Sequence, residues 1–149
     1  MSNAELLNRL SALDTNTISD ALDFLGLKGA AVGVRAFWDC SKIVGRASTV
    51  VLARKADKAP TAHLITPVVD AITTDDRILV IAGGVEGISC WSDIIANAAM
   101  VKGIRGTVID GFSRDIDGSR NIGFPVCERG VTSISARERV YRWILGSRW

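Results

Sequence analysis

The chain has 149 residues, 48% of them hydrophobic, and a formal net charge of +2. That length suits one domain over residues 1–149 with one core, and charge so close to balance gives no bulk electrostatic case for a nucleic-acid partner. No apolar run reaches about 18 residues, so no membrane-spanning helix is expected. A mean hydropathy of +0.24 is high for a soluble domain and points to surface hidden in an oligomer. The start of the chain has no basic segment leading into an apolar stretch, so no secretory signal is expected. Cys40, Cys90 and Cys127 are odd in number and have no CxxC spacing. They read as small buried hydrophobes in a reduced, cytoplasmic protein rather than as a zinc site.

The elements follow in chain order. Glu5 to Ala12 places Leu6, Leu7 and Leu10 on one helical face. Asp14 to Thr17 supplies capping residues for a second helix, which runs to Phe24 and stops at Gly26. Gly29 to Gly33 is a loop, and Ala47 to Ala53 a strand. Thr61 to Ile72 carries Leu64, Ile65, Val68, Val69 and Ile72 at helical spacing, with Pro67 expected to shorten or kink it. Arg77 to Ala82 is a continuously apolar strand, as expected for burial on both faces. After it come a glycine-rich loop, Gly83 to Gly87, a helix opening at Asp93, a turn from Gly103 to Gly106, and a strand to Asp110. This succession predicts a parallel βαβ unit. Phe124 to Cys127 is a short strand candidate. Ala136 to Trp149 mixes arginines with Val140, Tyr141, Trp143, Ile144 and Leu145 and reads as a tail. Arg137, Arg139, Arg142 and Arg148 look like a solvated face or a partner surface.

The most specific pattern is Asp93 at a helix start, then twenty intervening residues, then Arg114-Asp115 at a strand exit. A strand end and a helix start can gather one cation and two carboxylates around a point, and the helix start adds backbone N–H groups and the positive end of its dipole. Carboxylates with water suit a divalent, oxygen-preferring ion. Taken singly, a first-turn acid and an Arg-Asp turn are ordinary structural features; their combination with the glycine-rich loop marks a site. The loop Ala82-Gly83-Gly84-Val85-Glu86-Gly87 comes near the dinucleotide fingerprint, with Asp110 where a ribose-binding acid would stand. The helix does not open at its third glycine, however, because residues 88–92 intervene. His63, the only histidine, reads as a surface residue away from this pattern.

Two stretches, Ser89-Cys90-Trp91-Ser92-Asp93-Ile94-Ile95-Ala96 and Gly106 to Asp115, carry a resemblance to a known family, with support from Thr17 to Asp23 and Phe124-Pro125-Val126. Over residues 14–135 the chain resembles the RraA-like family. That family includes class II aldolases acting on 4-hydroxy-4-methyl-2-oxoglutarate, oxaloacetate decarboxylases and the regulator of ribonuclease E activity. The resemblance implies an α/β fold, a swivelling β/β/α domain with a mixed sheet, assembled as a homotrimer with sites at subunit boundaries. It also implies that Asp115 binds Mg2+ or Mn2+ directly and that Asp93 holds the ion through water. Arg114 would bind a small 2-oxo acid and stabilise its enolate oxygen, and the amides of Ile94 and Ile95 would take the substrate carboxylate.

The chain departs from that family in places. Ser89 stands where alanine is frequent, Ser92 where glycine is frequent, and Ala82 where an aspartate usually precedes the loop. Beyond Phe124-Pro125-Val126, family members continue into further strands, and in some of them an acid from that region completes a neighbour's site. Residues 136–149 are atypical, so the fold is expected to be shortened at the C-terminus. The activity implied is a metal-dependent lyase; the alternative is a non-catalytic trimeric binding protein resembling the ribonuclease E regulator.

Overall fold

A computed structural model describes residues 1–54, 65–137 and 139–146. The chain divides into two compact units, Met1–Gly33 and Val34–Trp149.

The first unit holds two capped helices. In α1 (Asn3–Ser11), Ser2 accepts the Glu5 amide at 3.2 Å; in α2 (Thr15–Phe24), Asp14 accepts the Thr17 amide at 2.7 Å. These are N-cap bonds on otherwise orphaned first-turn donors. Gly26, at φ +67°, follows the end of α2 in the left-handed conformation that a helix stop favours.

The second unit is a mixed sheet crossed by three short helices: β1 (Arg35–Ala36), β2 (Arg46–Arg54), α3 (Thr66–Ala71), β3 (Arg77–Ala82), β4 (Ser89–Trp91), α4 (Asp93–Val101), β5 (Thr107–Ser113), α5 (Ile116–Asn121), β6 (Val126–Val131) and β7 (Val140–Gly146). The seven strands run in the order β1-β6-β5-β3-β2-β7, with β4 paired to β5 off this path. The pairs β2/β3, β3/β5, β4/β5 and β5/β6 are parallel. The two edges, β1 on β6 and β7 on β2, are antiparallel. The expected βαβ unit is β3-α4-β5, and α3 and α5 make two further crossovers.

The parallel centre is buried on one face rather than on both as expected: along β3, Leu79 and Ile81 are buried while Ile78 and Val80 are half-exposed. Val50, Leu79, Ile81 and Ile109 are fully buried, and Ile95, Ala96 and Ala99 of α4 with Val68 and Val69 of α3 pack into the same core. Trp91 stacks on Phe124 with ring centroids 5.9 Å apart. Thr107 keeps a hydroxyl in this interior because it donates to the Leu79 carbonyl at 3.0 Å.

Several readings change. Pro67 does lie within a helix, α3, but in its first turn, where its missing N–H is harmless. The earlier part of that expected helix, with His63, lies outside the described residues. The tail is not merely an arginine-rich mixture: Val140–Gly146 is β7, paired along β2 with Val50 opposite Leu145. Its valine, tyrosine, tryptophan and isoleucine suit a strand, but interspersed arginine masked the pattern. Short β4 and α5 were also unforeseen. Between Ile109 and Phe112 the β5/β6 register shifts: Ile109 faces Glu128 and Phe112 faces Gly130, so three steps along β5 match two along β6.

Candidate functional site

The parallel strands β3 and β5 end at the same margin of the sheet, the margin where open α/β sheets hold ligands. After β3 the chain passes through the glycine-rich loop. The Gly84 amide donates to the Asp110 carbonyl at 3.1 Å, and a side chain at Gly84 would meet the Gly111 Cα at 2.6 Å. Backbone thus lies on backbone, which only glycine permits. The chain then forms β4 alongside the end of β5, with Ser89 opposite Phe112 and Trp91 opposite Ser113. The Arg114 amide donates to the Trp91 carbonyl at 3.0 Å. This bond ties Arg114 to a point two residues before Asp93.

Asp93 opens α4. The Ser92 side chain makes no cap bond; Asp93 Oδ1 instead accepts its neighbour Ile94's amide at 2.7 Å, and Asn97 Nδ2 donates to the Asp93 carbonyl at 2.8 Å. Asp115 caps α5 from the left-handed region (φ +60°, ψ +38°) and is the only non-glycine residue with positive φ among the described residues. Such a conformation costs about 1 kcal/mol or more outside glycine, with Asp and Asn tolerating it best, and is often found at functional sites. Its carbonyl accepts the Gly118 amide at 2.9 Å. A Cβ at Gly118 would stand 2.5 Å from the Asp93 Cβ, so glycine there lets α5 close onto Asp93.

The structure therefore brings together the ends of the expected triad. Arg114 Nε lies 3.5 Å from Asp115 Oδ2, with side chains 37% and 42% exposed, a half-open pair of little stabilising value by itself. Asp93 is half-buried across Gly118, Ile94 exposed and Ile95 buried. The expected amide donors differ in state. The Ile94 N–H is held by the Asp93 carboxylate, whereas the Ile95 N–H belongs to a first turn that has no partner within the helix.

Among the described residues no group of three or more His, Cys, Asp or Glu side chains could enclose a metal. Two hard carboxylates flanking an arginine still fit magnesium or manganese, because magnesium is commonly held by one or two carboxylates while substrate and water complete its shell. A soft or tetrahedral metal does not fit this donor set.

A separate cleft of about 240 Å³ is lined by Gly84, Glu86, Asp110, Gly111, Phe112 and Arg129. It includes none of Asp93, Arg114 or Asp115, although its floor is the preceding stretch of β5. Cavity shape and chemistry disagree here, since the Arg114–Asp115 ion pair stands outside the cleft. Inside it, Arg129 is hydrogen-bonded to Asp110. Asp110 is therefore no free ribose acceptor, and β4 separates the glycine loop from α4. Both facts set the dinucleotide reading aside.

Glu128 was missed in the sequence. It is fully buried on β6, and its two carboxylate oxygens make no well-formed hydrogen bond among the described residues. Burial pushes this carboxyl up, weakly opposed by the nearby Ser113 hydroxyl and amide. Period-two alternation would have put Glu128 on the same face as Val126, had the strand been extended beyond Cys127. Cys90 is buried as expected, donates to the Phe112 carbonyl at 3.5 Å, and is pushed up to about 12 by that burial. Cys40 and Cys127 are half-exposed, contrary to expectation.

A mixed parallel sheet with this helix start and strand exit defines a class, and comparison with known proteins makes it specific. The chain belongs to the RraA-like family, whose model, described as Aldolase/RraA, matches residues 15–142. The chain is 29% identical over 140 residues to a protein of Halalkalibacterium halodurans named "Putative 4-hydroxy-4-methyl-2-oxoglutarate aldolase", covering 93% of this chain and 63% of that protein. It is 28% identical over 137 residues to Protein DlpA of Legionella pneumophila, covering 92% of this chain but 22% of that one. An uncharacterized Pseudomonas syringae protein of known structure superposes with a TM-score of 0.80 at 31% identity, covering 95% of this chain and 65% of its own. Streptomyces coelicolor RraAS2, described as an unusual member of the RNase ES inhibitor RraA family, superposes at 0.82 with 24% identity, covering 95% of this chain and 71% of its own, and speaks to the fold alone. The chain spans less than two thirds of the length of both sequence relatives.

Proposed function

We propose that the protein is a divalent-metal-dependent lyase that cleaves a 4-hydroxy-2-oxo acid to pyruvate and a second carbonyl product, or releases carbon dioxide from oxaloacetate through the same enolate. The observation that carries this reading is the gathering of Asp93, Arg114 and Asp115 by the Arg114–Trp91 backbone bond and the Gly118–Asp93 contact. Membership in a family that contains a named aldolase relative supports it.

Magnesium or manganese would be held directly by Asp115 and through water by Asp93, and when bound would draw electron density from the 2-oxo acid. Arg114 binds the oxo-acid end of the substrate through its planar fork and balances the charge that develops on the C2 oxygen as the C3–C4 bond breaks. The Ile95 amide, at the positive end of α4, receives the substrate carboxylate. The Ile94 amide joins it by exchanging the Asp93 carboxylate for the substrate's. Two carboxylates and an arginine leave the proton to and from carbon without an assigned carrier. A neighbouring copy in a homotrimer would supply it, through one repeated interface. Light scattering should then give three times the 15.9 kDa chain mass.

The test is pyruvate release, followed by coupled NADH oxidation, from 4-hydroxy-4-methyl-2-oxoglutarate and from oxaloacetate with Mg2+. Protein-dependent release that disappears with EDTA is expected. Rates equal to a metal-only control for both substrates would favour the non-catalytic binding protein.

A further inference from the structure

We propose that Cys40 and Cys127 form a reversible oxidation site, in which a peroxide joins the two thiols as a disulfide. The backbone brings them together although 86 residues intervene. Ala36 of β1 lies directly opposite Cys127 of β6 in an antiparallel pair. Just beyond β1 the chain tightens into a turn closed by the Cys40 amide donating to the Trp38 carbonyl at 2.9 Å. Burial, and then the nearby Cys40 thiol, push the Cys127 thiol above its ordinary value, which places the two side chains within interaction range. Both thiols are free and half-exposed, so a small oxidant reaches them; Cys90 is buried, with its sulfur turned to the Phe112 carbonyl.

The chemistry balances with hydrogen peroxide as oxidant. One thiol attacks the peroxide, the O–O bond breaks, and a sulfenic acid and one water result. The second thiol attacks that sulfur, the S–O bond breaks, and a second water leaves as the S–S bond forms. Two thiols lose two electrons and two protons; one peroxide becomes two waters. A dithiol reductant reverses the step.

Two structural consequences follow. β1 pairs through only two residues, Arg35 and Ala36, and a covalent link four residues on would hold this marginal edge in place. Cys127 also shares a face of β6 with Arg129, two residues further along the same strand. The link would therefore anchor the strand that carries the cleft's arginine.

The test uses the whole chain treated with excess hydrogen peroxide and mapped without reduction. The expected result is an intact single-chain mass lower by two hydrogens and a fall from three free thiols to one. Tryptic digestion should join the peptide 36–42, which holds Cys40, to 121–129, which holds Cys127, and should leave Cys90 free in 78–102. Dithiothreitol should restore all three thiols, and Cys40→Ser should abolish the loss of two hydrogens. Retention of all three thiols, oxygen uptake at Cys40 or Cys127 without a link, a link to Cys90, or a link between two chains would each overturn the proposal. The wild-type map decides even if Cys40→Ser fails to fold.

Discussion

Changing Glu128 to Gln removes one charge from the interior while keeping the side chain's size. The carboxyl is fully buried and lacks a well-formed hydrogen bond among the described residues, and burial raises it above its ordinary value. A carboxyl raised in the folded state means that the folded chain binds more protons than the unfolded one. Its contribution to stability is fully present below the unfolded value of roughly 4.3 and is lost as pH rises through the folded value. Gln cannot ionise, so Glu128→Gln should match wild type in acid and exceed it in alkali. Leaving a buried polar group unsatisfied costs about 1–3 kcal/mol, more when charged. At about 2–4 °C per kcal/mol for a chain of this size, the melting temperature should rise by roughly 3–10 °C at pH 9. Circular dichroism melts of both proteins at one-unit steps from pH 5 to 9 measure this directly. Asp76, held at about 2 by its hydrogen bonds from Arg46 and Thr74, acts with the opposite sign, stabilising above the ordinary carboxylate range and failing only in strong acid; it cancels in the difference. Parallel melting curves across the range, or a wild type that gains on the variant as pH rises, would refute the argument.

Three further outcomes are expected at the site. Asp115→Asn should keep the fold within about 0.5 kcal/mol, because Asn tolerates the left-handed backbone, yet lose metal-dependent pyruvate formation; full retention of that activity would remove Asp115 from the metal site. Arg114→Lys should lower kcat/KM by an amount equal to roughly 2–4 kcal/mol, the scale of one lost oxyanion donor, and near-wild-type kinetics would make Arg114 structural. Gly118→Ala gains up to about 1 kcal/mol in helix propensity but drives a methyl to 2.5 Å from the Asp93 Cβ, an overpacking cost of about 1–3 kcal/mol. Reduced activity with stability unchanged or lower is expected from melts and kinetics together, and a more stable variant with normal kinetics would show that α5 does not hold Asp93.

The sheet's centre was legible as strand because Arg77–Ala82 holds an unbroken apolar run, although only one of its faces, through Leu79 and Ile81, is fully buried. The start of α4 was legible because Asp93 begins a helical repeat whose inward positions are Ile95, Ala96 and Ala99. What escaped notice has physical reasons. β4 is three residues long and α5 six, too short for either period to declare itself. β7 interleaves arginine with its apolar residues. Within the site, residue type and spacing pointed to Asp93, Arg114 and Asp115, but no local pattern announces that Gly118 is a contact surface. Nor does any spacing rule pair Cys40 with Cys127, because that meeting is made by strand register and a turn.

The extra residue in β5 turns the spacing between Asp93 and Arg114 into a matter of odd and even. Up to Ile109 the strand keeps step with β6; from Phe112 onward it is one residue ahead. Side chains in β5 keep alternating through the irregularity, with Thr107, Ile109, Gly111 and Ser113 all buried, so what shifts is their match to β6. Loss of a single residue such as Gly111 would realign β5 with β6 and rotate Ser113, Arg114 and Asp115 by half a turn, sending the guanidinium through to the opposite face with every residue of the motif still present. The motif therefore behaves like a reading frame: substitutions alter its chemistry by degrees, whereas a one-residue deletion scrambles all that follows it.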